Sequence, residues 1–326
     1  MNAEYPWKSA LATVLQAFLQ EMQMAGFRYA DEPRMLKRFD AYCASHQLEE
    51  PVLTQPLVEV FCYGISYEKP STRYNKERLL RRLGTFMCRQ GYTAYVCPVT
   101  SMPKRSAYVP HIFSGDELLR LFLENDQRSA HCFSTRTLTS PLLFRLIYGC
   151  GLRVSEALNL RLSDVDLEEG TLNIRQAKNA KDRRISMAPR LLTRCKTYHI
   201  TVHGMSSPET YFFSNRAGGR LNHTTVYREF RDILWNAGIP HSGHGPRIHD
   251  LRHTHCVHCL RQWVRDGKDL MTLLPYLAAY LGHTDFRGTQ YYLRLTADVY
   301  PDMMDSMEVF LGSLIPKGAM TNETTN

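Results

Sequence analysis

Six residues carry the chemistry in this sequence. In chain order they are Arg153, Lys178, His249 and Arg252 spaced as His-x-x-Arg, His283 in Leu-Gly-His, and Tyr292. Guanidiniums keep their charge at any working pH and fork onto phosphate oxygens. Imidazoles, with an ordinary pKa of about 6.5, and an ammonium on a flexible stem move protons near neutrality. A phenol is a nucleophile. Together these are the parts with which a protein cuts a phosphodiester by means of a tyrosine and without a metal. Taken singly, an arginine is ordinarily a surface ion pair and a histidine ordinarily structural, so the reading rests on the array. Tyr291 adjoins Tyr292. Neighbours on a helix point about 100° apart, so one of the two faces a phosphate while the other packs.

The array resembles the tyrosine recombinases, or phage integrases. The likeness is carried by Tyr148-Gly-Cys-Gly-Leu-Arg153-Val-Ser-Glu156, His249-Asp-Leu-Arg252-His-Thr, Leu281-Gly-His283 and Thr289-Gln-Tyr-Tyr292, and its motifs span residues 113–295. The resemblance implies a mainly α fold with a small β-sheet: a two-domain, C-shaped DNA clamp with an N-terminal helical core-binding domain and a catalytic domain. It makes Arg153 and Arg252 phosphate ligands, Glu156 a supporting carboxylate, and His249 and His283 proton carriers or donors to the phosphate. Tyr292, which follows His283 at the separation typical of the family, becomes the nucleophile that leaves a 3′-phosphotyrosyl link and a free 5′ hydroxyl. Lys178 or Lys181 would protonate the departing oxygen, and placement by resemblance favours Lys178.

The partners implied are double-stranded DNA at specific recombination sites and further copies of the chain. Four protomers would exchange strands through a Holliday junction, with or without related recombinases or accessory proteins. No cofactor and no membrane are expected. The apolar segment 304–314 is the candidate for docking on a neighbouring protomer. Two other readings share the scaffold: a catalytically silent sequence-specific DNA-binding regulator, and a type IB topoisomerase-like strand-passing enzyme. The complete residue set argues against the first, and the Leu-Gly-His and Thr-Gln-x-Tyr motifs against the second.

The elements that must position these residues are legible in part. A chain of 326 residues, 44% hydrophobic, suits two globular cores. Its net charge of +8 favours a polyanionic partner. The first residues lack the pattern of a secretory signal and no apolar run is long enough to span a bilayer, so a cytoplasmic protein is expected. Nine cysteines, odd in number and scattered, suit reduced thiols. Cys256-x-x-Cys259 with His253, His255 and His258 invites a zinc reading. Zinc needs four convergent ligands, and no second pair exists, so no metal is expected.

Residues 1–96 read as helices: Leu11, Val14, Leu15, Phe18, Leu19 and Met22 recur at helical spacing, Gly26 closes that segment, and further helices are predicted over 35–45, 52–63 and 71–90. The last is crowded with basic residues, of which Arg73, Lys76 and Arg81 are candidate phosphate contacts. Residues 97–110, with three prolines and Lys104 and Arg105, read as a linker that touches DNA. The catalytic domain is predicted over 111–316, opening on a Ser114/Glu117 capping box, and residues 317–326 read as a disordered tail.

Within the catalytic domain, Ser140-Pro141 is predicted to start a helix that Gly149–Gly151 breaks, and a short helix at 154–160 carries Glu156. Strands are predicted at 171–175 and 184–187 around a lysine-bearing turn, with a further one at 211–213. A helix over 222–236, buried on Val226, Phe230, Ile233 and Leu234, offers His223, Thr224, Arg228 and Arg231 to DNA. The stretch between Cys259 and Leu281 is longer than the family leads one to expect.

Overall fold

The computed structural model describes residues 5–25, 32–98, 108–130, 135–175, 182–240, 242, 245–282, 291–293 and 295–296. Lys104, Arg105, Lys178, Lys181, His283, Gly26, segment 304–314 and the tail lie outside them. The chain divides into two compact units, Met1–Ala107 and Tyr108–Asn326. Among the described residues no helix is long and apolar enough to cross a membrane.

The first unit holds α1 (Ala12–Met24), α2 (Glu32–Ser45), α3 (Gln55–Tyr63) and α4 (Pro70–Arg89). Leu11, Val14, Leu15 and Phe18 bury one face of α1 against Leu36, Phe39, Phe61, Leu80, Leu83 and Met87. Thr54 caps α3, and prolines open α3 and α4, where a missing amide costs nothing. Lys76 requires a correction. It shares the α4 face of Leu79, Leu80 and Leu83, three to seven residues on, and is buried with them. Its Nζ donates to the Phe61 carbonyl at 2.9 Å and pairs with Glu68 at 2.8 Å, so it is a structural ion pair and not a phosphate contact.

The second unit holds α5 (Gly115–Ala130), α6 (Thr135–Gly149), α7 (Val154–Asn159), a 3₁₀ turn (Leu162–Asp164), β1 (Val165–Asp166), β2 (Thr171–Ile174), β3 (Arg183–Ser186), α8 (Pro189–Val202), α9 (His223–Asn236), α10 (Ile248–Arg265) and α11 (Leu270–Leu281). The capping box forms: Ser114 N–H donates to Glu117 at 2.8 Å, and Glu117 N–H to Ser114 Oγ at 3.1 Å. The strands make an antiparallel sheet in the order β1-β2-β3, with Leu172 opposite Ile185 and Ile174 opposite Arg183.

Three parts of the second unit depart from the sequence reading or fill it in. α6 begins at Thr135 and carries Pro141 inside it. Its Leu142, Leu143, Phe144, Leu146 and Ile147 are all buried, and that burial outweighs the amide that proline removes. Residues 211–213 form only a single bridge, Arg161 to Tyr211, because Phe212 and Phe213 are both fully buried and strict alternation is lost. The long stretch after Cys259 is accounted for by the last turns of α10 and by α11, which Asp269 caps through Met271 N–H at 2.9 Å.

Candidate active site

The site starts at the break after α6. Gly151 adopts φ +59°, a left-handed conformation that disfavours any side chain, and a Cβ there would meet His255 Cδ2 at 2.7 Å. The bare backbone lets the Gly151 carbonyl accept from Arg252 Nη1 at 2.7 Å, while Arg252 Nη2 donates to the Leu281 carbonyl at 2.7 Å. One guanidinium from α10 thereby joins the loop before α7 to the last turn of α11, where orphan carbonyls and the helix dipole favour a cation. Arg252 is almost wholly buried. Burial, and next the charge of Arg153, pull its pKa below the ordinary value. It stays charged, since guanidinium does not deprotonate in proteins.

Arg153 sits at the N-cap of α7, and Glu156 one turn on accepts its backbone N–H at 2.9 Å and its Nη1 at 2.7 Å. Arg183, at the start of β3, forks onto the same carboxylate: Nη1 to Oε1 at 3.1 Å and Nη2 to Oε2 at 2.8 Å. Arg252 Nη1 lies 3.7 Å from Oε2. Three guanidiniums therefore surround one carboxylate among the described residues, an excess of two positive charges. Burial alone would push the Glu156 carboxyl up. The hydrogen bonds and charge of Arg183, then those of Arg153, outweigh burial and hold it at about 2.

Tyr292 reaches this cluster from the far end of the chain. It belongs to an apolar cluster with Cys256, Val257, Leu260, Leu277 and Leu281 and is 3% exposed, whereas Tyr291 is 42% exposed. The Arg252 guanidinium donates to the Tyr292 hydroxyl, which in turn donates to the Cys256 sulfur. Burial and the neighbouring thiol raise the phenol above its ordinary pKa, and Arg252 lowers it only in part. The phenol is protonated at neutral pH.

His249 lies at the surface one turn before Arg252, with its ring 4.7 Å from that of His253, which is 5.5 Å from the Tyr292 ring. Asp250 fixes the start of α10 by accepting from Arg247 N–H at 2.9 Å and from the Tyr108 hydroxyl at 2.6 Å. Arg247 in turn stacks 3.8 Å over the Tyr108 ring. In the run Cys256–Cys259, burial lifts the Cys256 thiol to about 12 and the Cys259 thiol to about 11.

The structure thus brings together Arg153, Glu156, Arg252 and Tyr292, with His249 on the same helix as Arg252. Sequence reasoning missed Arg183 and the thiol of Cys256. A signal for Arg183 existed, because the alternation that turns Ile185 inward turns Arg183 inward too. Of the other basic candidates, Arg73 donates to the Ile65 and Ser66 carbonyls and Arg81 to the Cys97 carbonyl. His223, Thr224 and Arg228 are exposed on the first turns of α9, and Arg231 is half-buried.

Comparison with known proteins gives a consistent picture. The model of the phage integrase family matches residues 113–298. The chain is 31% identical over 256 residues to the tyrosine recombinase XerC of Oceanobacillus iheyensis, covering 74% of this chain and 76% of that one. It is 28% identical over 320 residues to a Sinorhizobium fredii protein carried under the name integrase/recombinase y4rB, covering 92% and 98%. Among solved structures, a lambda integrase dimer bound to a COC′ core site aligns with TM-score 0.60 at 16% identity, over 86% of this chain and 76% of that one. The Tn1549 transposon integrase in complex with a circular intermediate DNA aligns with TM-score 0.59 at 13% identity, over 86% and 94%. These two likenesses speak to the fold alone. By the family match over more than half its length, and by its identity to XerC, this chain belongs to the phage integrase family.

Proposed function

We propose that the chain is a site-specific DNA strand transferase in which Tyr292 is the nucleophile. The observation that carries this is the hydrogen bond from Arg252, a member of the arginine cluster around Glu156, to the Tyr292 hydroxyl. A phosphate placed between the phenol and these guanidiniums would meet an excess of two positive charges, which matches the two negative charges of a pentacovalent phosphorane. The phenolic oxygen attacks phosphorus, a new P–O bond to Tyr292 forms, and the bond to the 5′ oxygen breaks. His249 takes the phenol proton, directly or through His283. Lys178, or Lys181 three residues on, gives a proton to the leaving 5′ oxygen. The ester keeps the energy of the broken bond, so attack by another strand's 5′ hydroxyl reseals DNA without ATP.

Double-stranded DNA is the partner in this reading. The chain's charge of +8, the exposed His223, Thr224 and Arg228, and the DNA held by the aligned lambda and Tn1549 integrases support it. Four protomers on two sites are the assembly in which two such strand transfers yield recombined duplexes.

The test selects a binding site from a random duplex pool, places a nick in it so that cleavage releases a short fragment, and looks for a covalent adduct on a denaturing gel. The unaltered chain should form the adduct and Tyr292→Phe should lose it by at least about 1,000-fold, since removal of a nucleophile leaves little residual rate. A chain that binds the site and never forms an adduct is a regulator. One that relaxes arbitrary plasmid DNA without recombined product is a topoisomerase.

A further inference from the structure

The Arg183 side chain is 9% exposed, and every nitrogen of its guanidinium is engaged. Nη1 and Nη2 fork onto Glu156, and Nε donates to the Tyr280 carbonyl at 2.8 Å. Gly282 closes over it so tightly that a Cβ there would lie 2.9 Å from Arg183 Nη1. Arg153 is held differently. Its guanidinium has one hydrogen bond to Glu156 through Nη1, and its side chain is 20% exposed. Two arginines thus hydrogen-bond one buried carboxylate, one as a fixed fork and one by a single contact, with Arg252 at 3.7 Å beside them.

We infer that Arg183 is a positioning residue that neutralises Glu156 so that Arg153 can leave it for the scissile phosphate. The physical reason lies in what Glu156 does when Arg153 turns away. A buried carboxylate stripped of its only hydrogen-bonded guanidinium, with Arg252 left at 3.7 Å, is strongly unfavourable, so without Arg183 the carboxylate would hold Arg153 and compete with phosphate for it. With Arg183 in place, Glu156 keeps a bidentate cation and the Arg153 backbone N–H when the Arg153 guanidinium departs. Arg183 touches no reacting atom in this account. It sets how readily Arg153 engages the anion, and the inference rests on the strand-transfer reading above.

The test is a double-mutant cycle on single-turnover adduct formation at saturating DNA, with DNA affinity measured alongside and melting curves for each variant. Arg183→Ala should slow the adduct by about 30-fold or more while affinity stays within about 3-fold, the pattern of an interaction made in the transition state. Arg183→Lys, which keeps the charge and loses the fork, should fall between, and it carries the test if the alanine variant does not fold. Glu156→Gln removes the competing charge but still accepts the Arg153 backbone N–H, so it should react within about 10-fold of the unaltered chain, and replacing Arg183 in that background should cost little further. Additive losses in the double variant, an unaltered rate in Arg183→Ala, or an inactive Glu156→Gln would each overturn the inference while the unaltered chain still reacts. No adduct from the unaltered chain removes the strand-transfer reading and the inference with it.

Discussion

Glu156 is buried and His255 largely so in the second unit, and each links the site to the stability of the fold. The folded carboxyl of Glu156 titrates at about 2 against an ordinary 4.5, so as pH falls the unfolded chain takes the proton first. Its contribution is complete above about pH 4.5 and is lost between there and pH 2, an amount of about 3 kcal/mol at 1.36 kcal/mol per unit. His255 is a base held neutral, at about 4 against an ordinary 6.5, by burial and then by the charge of Arg252. There too the unfolded chain binds the proton first, and stability is lost from about pH 6.5 down to 4. Denaturant unfolding at stepped pH should therefore show two successive acid losses, and Glu156→Gln should remove the lower one alone. A Glu156→Gln chain with the same slope below pH 4.5 would contradict this assignment. Arg153, Arg252 and Tyr292 were legible because their neighbours form recognisable spacings. Arg183 went unnoticed despite its alternation with Ile185, because a basic residue beside Lys178–Asp182 looks like part of a solvated turn until its register against Ile174 is known.

The helices and strands were legible where periodicity or capping chemistry speaks and illegible where burial overrides them. Ser114 and Glu117 marked the start of α5, and Val226, Phe230, Ile233 and Leu234 the inner face of α9. Pro141 misled, since proline marks a helix start only when nothing upstream is pulled into the core, and Thr139 and Ser140 are buried. The glycines mark the break at Gly149–Gly151, and its purpose lies in what packs against it. Gly151 is bare so that His255 can pack over it and Arg252 can reach its carbonyl. His255 has little room to yield, because its ring stacks on Tyr280 with centroids 6.0 Å apart and planes at 17°. Gly151→Ala should therefore destabilise the fold by about 2–4 kcal/mol, from backbone strain and overlap together, and should slow adduct formation by displacing Arg252. A melting temperature unchanged by the substitution would show that the loop relaxes freely and that Gly151 is not needed for close approach.

The molecule as a whole pairs two independent cores. The buried apolar cluster of Met1–Ala107 runs from Leu11 to Cys97, the buried clusters of Tyr108–Asn326 begin at Phe113, and the first shares no member with the other two among the described residues. Arg153 and Glu156 from the α6–α7 break, Arg183 from the sheet, Arg252 from α10 and Tyr292 from beyond α11 all belong to the second unit, so that unit gathers the chemistry. Long-range convergence of this kind is what a sequence cannot display, since more than a hundred residues separate Arg153 from Tyr292. Strand transfer by Tyr292 is decided by which side chain ends up bonded to DNA. Protease digestion of the trapped adduct followed by mass spectrometry reads this directly. The prediction is a nucleotide joined through its 3′ phosphate to Tyr292. Attachment at Tyr291 or any other residue, or through a 5′ phosphate, would contradict it.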